Sequence, residues 1–140
     1  MISQETRTKL AELISAIPEV EIAYLFGSQI EGGANTTSDL DIACVFSISS
    51  TCRPEAVQVA LTRSGIDFHA PLDVRELNLK SDPIFTKRVI GRGDLLFSRD
   101  ERRRIAFEVN CMRRVYDSEF IRRANVKGMK HALQDGRYGH

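Results

Sequence analysis

Apolar runs and helical stripes alternate along the chain, and the alternation lays out most of an architecture. Leu10, Leu13, Ile14 and Ile17 recur at the three- and four-residue spacing of one helix face, and Pro18 closes that helix. Val20–Phe26 is short and almost continuously apolar, as a strand covered on both faces should be, and Leu40–Phe46 repeats that character. Arg53-Pro54-Glu55 opens a second helix, with Ala56, Val57, Ala60 and Leu61 on one side and Gly65 at its end. From Pro71 to Leu77 apolar and polar residues alternate with the period of a half-buried strand. Ser81-Asp82-Pro83 starts another helix, whose apolar face is Ile84, Phe85, Val89 and Ile90 and whose end is Gly91. Leu95-Leu96-Phe97 reads as a short strand. Last, Ile105, Val109, Met112, Tyr116 and Phe120 mark one stripe of a long helix running to Ala124, with Tyr116 and Phe120 expected in the core.

Strands alternating with helices make this an α/β chain. Its 140 residues, 42% of them hydrophobic, suffice for one core and leave no room for a second sizeable domain. The domain is placed at residues 1–125, and 126–140 is expected to be a C-terminal tail. No apolar stretch is long enough to span a membrane and no N-terminal signal pattern is present, so a cytoplasmic location is the expectation. Cys44, Cys52 and Cys111 form no C-x-x-C unit and read as free thiols.

The net charge of +1 hides an uneven distribution. Residues 1–86 hold 6 Lys/Arg against 12 Asp/Glu, whereas residues 87–140 hold 14 against 7. The basic half suits an acidic partner, RNA or a triphosphate, set against the plain alternative of a solvated helix face paired locally with Asp100, Glu101 and Glu108. Arg102, Arg103, Arg113, Arg114, Arg122 and Arg123 are its candidate docking residues. Arg102-Arg103-Arg104 is a weak patch by itself, and no separate duplex-binding module exists, so direct nucleic-acid binding is not expected.

Chemistry concentrates where the first apolar run ends. Gly27-Ser28 follows it directly, ten residues intervene, and Asp39-Leu40-Asp41 enters the second run. Residues two apart on a strand share a face, so Asp39 and Asp41 present two carboxylates side by side. Like charges that close raise one pKa unless a cation or proton lies between them. Oxygen-only ligands favour Mg²⁺ or Mn²⁺, which bind substrate phosphates as well. Gly27 lets the backbone approach a ligand, and a turn opening a helix offers unpaired N–H groups to an anion, with the Ser28 hydroxyl as a further donor. A Gly-Ser pair alone is a common turn, and an Asp-x-Asp alone is usually a solvated strand entrance. Together, at the ends of two strands, they fit the two ends of a nucleoside triphosphate.

Strand, Gly-Ser, ten-residue gap and Asp-x-Asp resemble the nucleotidyltransferase superfamily that includes DNA polymerase β and kanamycin nucleotidyltransferase. The short length and downstream segments are similar to its minimal branch, the MNT antitoxins of HEPN/MNT toxin–antitoxin pairs, over residues 5–123. The resemblance implies a small mixed β-sheet flanked by helices in the polymerase β-like fold. It implies a third metal-binding carboxylate on the next strand, matched by Asp73 in PLDVREL, with Glu76 the neighbouring candidate and a salt bridge from Asp73 to Arg75 the plain alternative. It further implies a metal-dependent transfer of AMP from ATP, with Asp39, Asp41 and Asp73 catalytic and metal-holding and Gly27 and Ser28 binding the nucleotide. The acceptor would be a tyrosine hydroxyl of a cognate HEPN toxin, a hetero-oligomeric partner silenced by the modification. Two other readings stay open: an antitoxin acting by occlusion alone, and an antibiotic-type transferase with a partner subunit. The chain departs from the family's frequent GSxARG form, since Gln29-Ile30-Glu31-Gly32 puts an acid, Glu31, where a triphosphate would be repelled if it faced inward.

Overall fold

The two apolar runs become the middle strands of a sheet, the place where a strand is covered on both faces. The computed structural model describes residues 2–32 and 39–134, with side chains to residue 128. Four strands, β1 (Val20–Phe26), β2 (Leu40–Phe46), β3 (Leu72–Glu76) and β4 (Asp94–Ser98), lie in the order β3-β2-β1-β4. β1 runs antiparallel to β2 and β4, whereas β2 and β3 are parallel, which gives the mixed sheet the sequence implied. The helices are α1 (Gln4–Ser15), α2 (Ser28–Glu31), α3 (Pro54–Arg63), α4 (Pro83–Arg92) and α5 (Glu101–Gln134).

Local chemistry sets the helix ends. The Ser3 hydroxyl accepts the Thr6 backbone N–H at 3.2 Å to begin α1. The Asp82 carboxylate accepts the N–H groups of Ile84 at 2.7 Å and Phe85 at 3.4 Å, with Pro83 in the first helical position of α4. α4 runs one residue past Gly91 to Arg92, because the tight position is the next glycine: a Cβ on Gly93 would collide with the backbone oxygens of Val89 and Leu25.

Strand alternation divides the core in two. Leu25, Ile42 and Cys44 pack with Leu10 and Ile14 of α1 and Val57 and Leu61 of α3. Ile22, Tyr24, Phe26, Ala43 and Val45 face the other way, onto Leu77 and Val89. An irregularity between Val20 and Ile22 inserts Glu21 opposite a single step of β2, so Val20 joins the first cluster although Ile22 belongs to the second. Arg99, in the half read as partner-facing, is structural: its guanidinium donates to the carbonyls of Ser15, Ile17 and Val20, each at 3.1 Å. The three cysteines are unpaired, two of them buried.

The long helix departs from expectation. It passes Ala124 and Gly128 and reaches Gln134, since an isolated glycine in a helix costs only about 1 kcal/mol and does not stop it. Its apolar stripe is not core. Ile105, Val109, Tyr116 and Phe120 are exposed, Tyr116 at 61% and Phe120 at 72%, and the residues buried against the domain are Cys111 and Val115. Each precedes a stripe residue by one, about 100° around the helix. Periodicity shows that a face exists without saying which side the domain covers. Ile84, expected on the apolar face of α4, is likewise exposed.

Candidate active site

The register of the sheet brings the predicted residues together. Phe26, the last residue of β1, pairs with Asp41, and across the parallel ladder Asp41 pairs with Asp73. Because Leu40, Ile42 and Val74 point into the α1/α3 cluster, alternation turns Asp41 and Asp73 to the opposite face, toward α4. Asp39 lies two residues before Asp41, just outside β2, and is exposed; Asp41 and Asp73 are half-buried. Glu76 pairs with Cys44, three steps up the ladder from Asp73, and its carboxylate accepts a hydrogen bond from the Asn78 amide at 2.6 Å.

Gly27 joins β1 to α2 with φ +86° and ψ −164°, a conformation that glycine alone adopts readily. Its missing side chain is occupied space: a Cβ there would overlap the Asp41 carboxylate. The Gly-Ser turn and the Asp-x-Asp motif are therefore packed against each other although ten residues separate Ser28 from Asp39. Of that gap, residues 33–38 lie outside the described residues.

The electrostatics follow from this crowding. Burial pushes the Asp41 carboxyl above its ordinary value, and the negative charges of Asp73 and Asp39 push it further, while Arg75 and Arg88 act in the opposite sense. An oxygen-only set of mutually repelling carboxylates is chemically suited to a hard divalent cation. Asp73 is also engaged elsewhere: the Arg75 guanidinium donates to it at 3.2 Å, the salt bridge weighed as the plain alternative. Among the described residues no three carboxylate, imidazole or thiol groups converge closely enough to hold a metal ion as they stand.

Two cations near Asp41 complete the picture, and sequence reasoning had named only one of them. Arg75 shares the strand of Asp73. Arg88 comes from α4 and stacks 5.7 Å above the Phe26 ring, which is itself held edge-on by Phe85 at 5.4 Å. Arg88 also donates to Glu31 at 3.4 Å, so the acid that departs from the family pattern is paired with a cation. No local pattern links residues 57 apart in sequence.

Residues 8–102 match the family model described as polymerase beta, nucleotidyltransferase. No curated protein matches the chain in sequence. Among solved structures, a chain of a toxin–antitoxin complex with AMP-PNP is 20% identical, the alignment covering 89% of this chain and 98% of that one at a TM-score of 0.67. A chain of the MntA–HepT toxin–antitoxin is 19% identical over 91% of this chain and 99% of that one, at 0.64. A chain from the complex of tri-AMPylated Shewanella oneidensis HEPN toxin with MNT antitoxin is 19% identical over 91% and 98%, also at 0.64. At such identities the likeness is one of fold. Among the described residues no helix is long and apolar enough to cross a membrane.

Proposed function

The chain belongs to the polymerase beta, nucleotidyltransferase family, and on that premise we propose that it is the antitoxin of a HEPN/MNT pair, a protein adenylyltransferase that moves AMP from ATP to a tyrosine hydroxyl of its HEPN toxin. The reading is carried by one observation: Gly27 is bare where the Asp41 carboxylate stands, so the phosphate-binding turn and the carboxylates share one end of the sheet. Support for the partner and the transferred group comes from structures of the same fold, which include a complex with AMP-PNP and one with a tri-AMPylated HEPN toxin.

Asp39, Asp41 and Asp73 would hold Mg²⁺ or Mn²⁺, which supplies positive charge to the triphosphate and favours ionisation of the acceptor hydroxyl. Gly27 keeps the turn close to the carboxylates, and the Ser28 hydroxyl donates to a phosphate oxygen. The tyrosine oxygen forms a bond to the α-phosphorus as the bond to the α,β-bridging oxygen breaks. Pyrophosphate leaves, and the phenolic proton passes to a carboxylate or to solvent. A phenol ionises near pKa 10, so a nearby base is needed at neutral pH. The Glu31–Arg88 pair keeps the acid from standing uncompensated beside the triphosphate.

The test is intact mass. The protein encoded beside this chain, incubated with it, ATP and Mg²⁺, gains one or more AMP units; an unchanged mass under conditions where the two proteins bind refutes the transfer. Full neutralisation of that protein by an Asp39→Ala, Asp41→Ala double variant would instead favour occlusion.

A further inference from the structure

The face of α5 that the domain leaves uncovered is organised. Ile105, Val109, Met112, Tyr116 and Phe120 form one continuous line along it, at the i, i+4, i+7 spacing by which a helix docks into a groove. Ile105 is 54% exposed, Val109 51%, Tyr116 61% and Phe120 72%, with Met112 half-buried between them, so the line is an apolar surface rather than scattered single residues.

The charges along the line are not balanced. Its acids are spent within the chain: Glu101 and Glu108 both accept from Arg104 at 2.6 Å, and Glu119 accepts from Lys87 at 2.7 Å. Its bases are not. Arg102, Arg113, Arg123 and Lys127 lie on or beside the stripe, exposed, with no ion pair among the described residues. Asp117, exposed on the far side of Arg113, is the nearest acid left without such a partner. The surface is therefore apolar along its centre and cationic along its border.

That charge pattern works against a second copy as occupant. A two-fold antiparallel pairing centred on the stripe sets Ile105 against Phe120 and Val109 against Tyr116, and the same symmetry sets Arg102 against Arg123 and Glu108 against Asp117. Parallel pairing sets Arg123 and Lys127, which fall within the line, against their own copies. Of the line only Tyr116 and Phe120 could stack on a nucleotide base; Ile105, Val109 and Met112 make it an apolar stripe rather than a row of stacking rings.

We infer that the uncovered face of α5 is the docking surface for the acceptor protein, which must present an apolar groove bordered by Asp and Glu. Naming the acceptor as the occupant rests on the transfer reading above. Tyr, Phe, Met and Arg are the residue types enriched where protein partners meet, and a carboxylate border would pair with the unspent guanidinium groups.

The experiment compares wild type, Tyr116→Ala/Phe120→Ala and Arg113→Glu in binding to the purified protein encoded beside this chain. The aromatic double variant binds at least ~30-fold more weakly and, in the transfer assay, raises KM for the acceptor while kcat and ATP binding stay at wild-type values. Arg113→Glu slows association by about tenfold at low salt and flattens its salt dependence. Wild-type affinity in both variants overturns the inference, as does failure of the wild-type chain to bind that protein. Self-association abolished by the aromatic substitutions, or uridine-oligonucleotide binding abolished by them, overturns it too. If the acceptor binds through α5 and gains no AMP, the transfer reading falls and the surface stands; if the double variant binds and modifies normally, the reverse holds.

Discussion

Compare β2 with α5, each of which carries a regular apolar pattern. Along β2 successive residues face one of two buried clusters, and Leu40, Ile42 and Cys44 are at most 2% exposed. Along α5 four of the five regular apolar positions stand in solvent, Met112 being half-buried, and full burial falls on Cys111 and Val115 beside them. A strand in mid-sheet is fixed from both edges and both faces, so a one-residue slip would turn Asp41 into the core. A helix at the margin is fixed on one side only. The fold thus gives the carboxylates the rigid position and leaves the α5 face open to another molecule.

The largest effect is expected where rigidity serves chemistry. Asp39→Ala and Asp41→Ala should each lower nucleotide transfer by on the order of 10³-fold, the scale seen when charge stabilisation is removed from a site. The fold should persist in a thermal melt, because neither side chain belongs to an apolar cluster. Transfer at wild-type rate by the double variant would remove both residues from the mechanism.

Gly27→Ala probes the same position through the backbone. The new Cβ must adopt a conformation suited to glycine and also displace the Asp41 carboxylate. A loss of about 1–3 kcal/mol of stability is expected, accompanied by loss of transfer. An alanine variant that melts and reacts as wild type would mean that the turn and the carboxylates are not packed together.

The strand end was legible in the sequence because strand alternation leaves little choice: once Leu40, Ile42 and Val74 are read as buried, Asp41 and Asp73 must share the other face. Gly27 and Ser28 were legible because a turn directly after a strand has a fixed place. The helix defeated the same logic. The line from Ile105 to Phe120 was correctly seen as a face, but the covered side is set by where α4 packs, against Phe107, Cys111 and Val115, and the apolar spacing along α5 does not record it. Arg88 was missed for a related reason, since its partners Glu31 and Phe26 come to it only when α4 packs on the sheet. Glu31 looked like an obstacle in the sequence only because that pairing is non-local.

A pH titration separates the crowded carboxylates from a merely solvated pair. Burial and the charges of Asp73 and Asp39 raise the Asp41 carboxyl. A folded-state pKa above the unfolded one contributes stability that is fully present below the ordinary carboxyl value, about 3.9, and is lost as pH rises through the folded value. In the presence of a chelator, Asp41→Asn should therefore be more stable than wild type at pH 7, and the gap should close on acidification toward pH 4. A gap that is constant with pH, or of opposite sign, would show that Asp41 is not strained by its neighbours.

The smallest expected effect tests α5 in the isolated chain. Val115 is 2% exposed, and truncating it to alanine removes two buried methyl groups and leaves a cavity, a loss of about 1–3 kcal/mol. Tyr116, the next residue, and Phe120 are larger, yet an alanine at either position removes little that the folded domain contacts, so each should change stability by no more than about 0.5 kcal/mol. Chemical denaturation of the three single variants decides it, and the order of effects is the reverse of the order of side-chain size. If Phe120→Ala cost as much as Val115→Ala, the aromatic face would already be covered within the chain, and the proposed distinction between a sheet edge for the chemistry and a helix face for a partner would lose its basis.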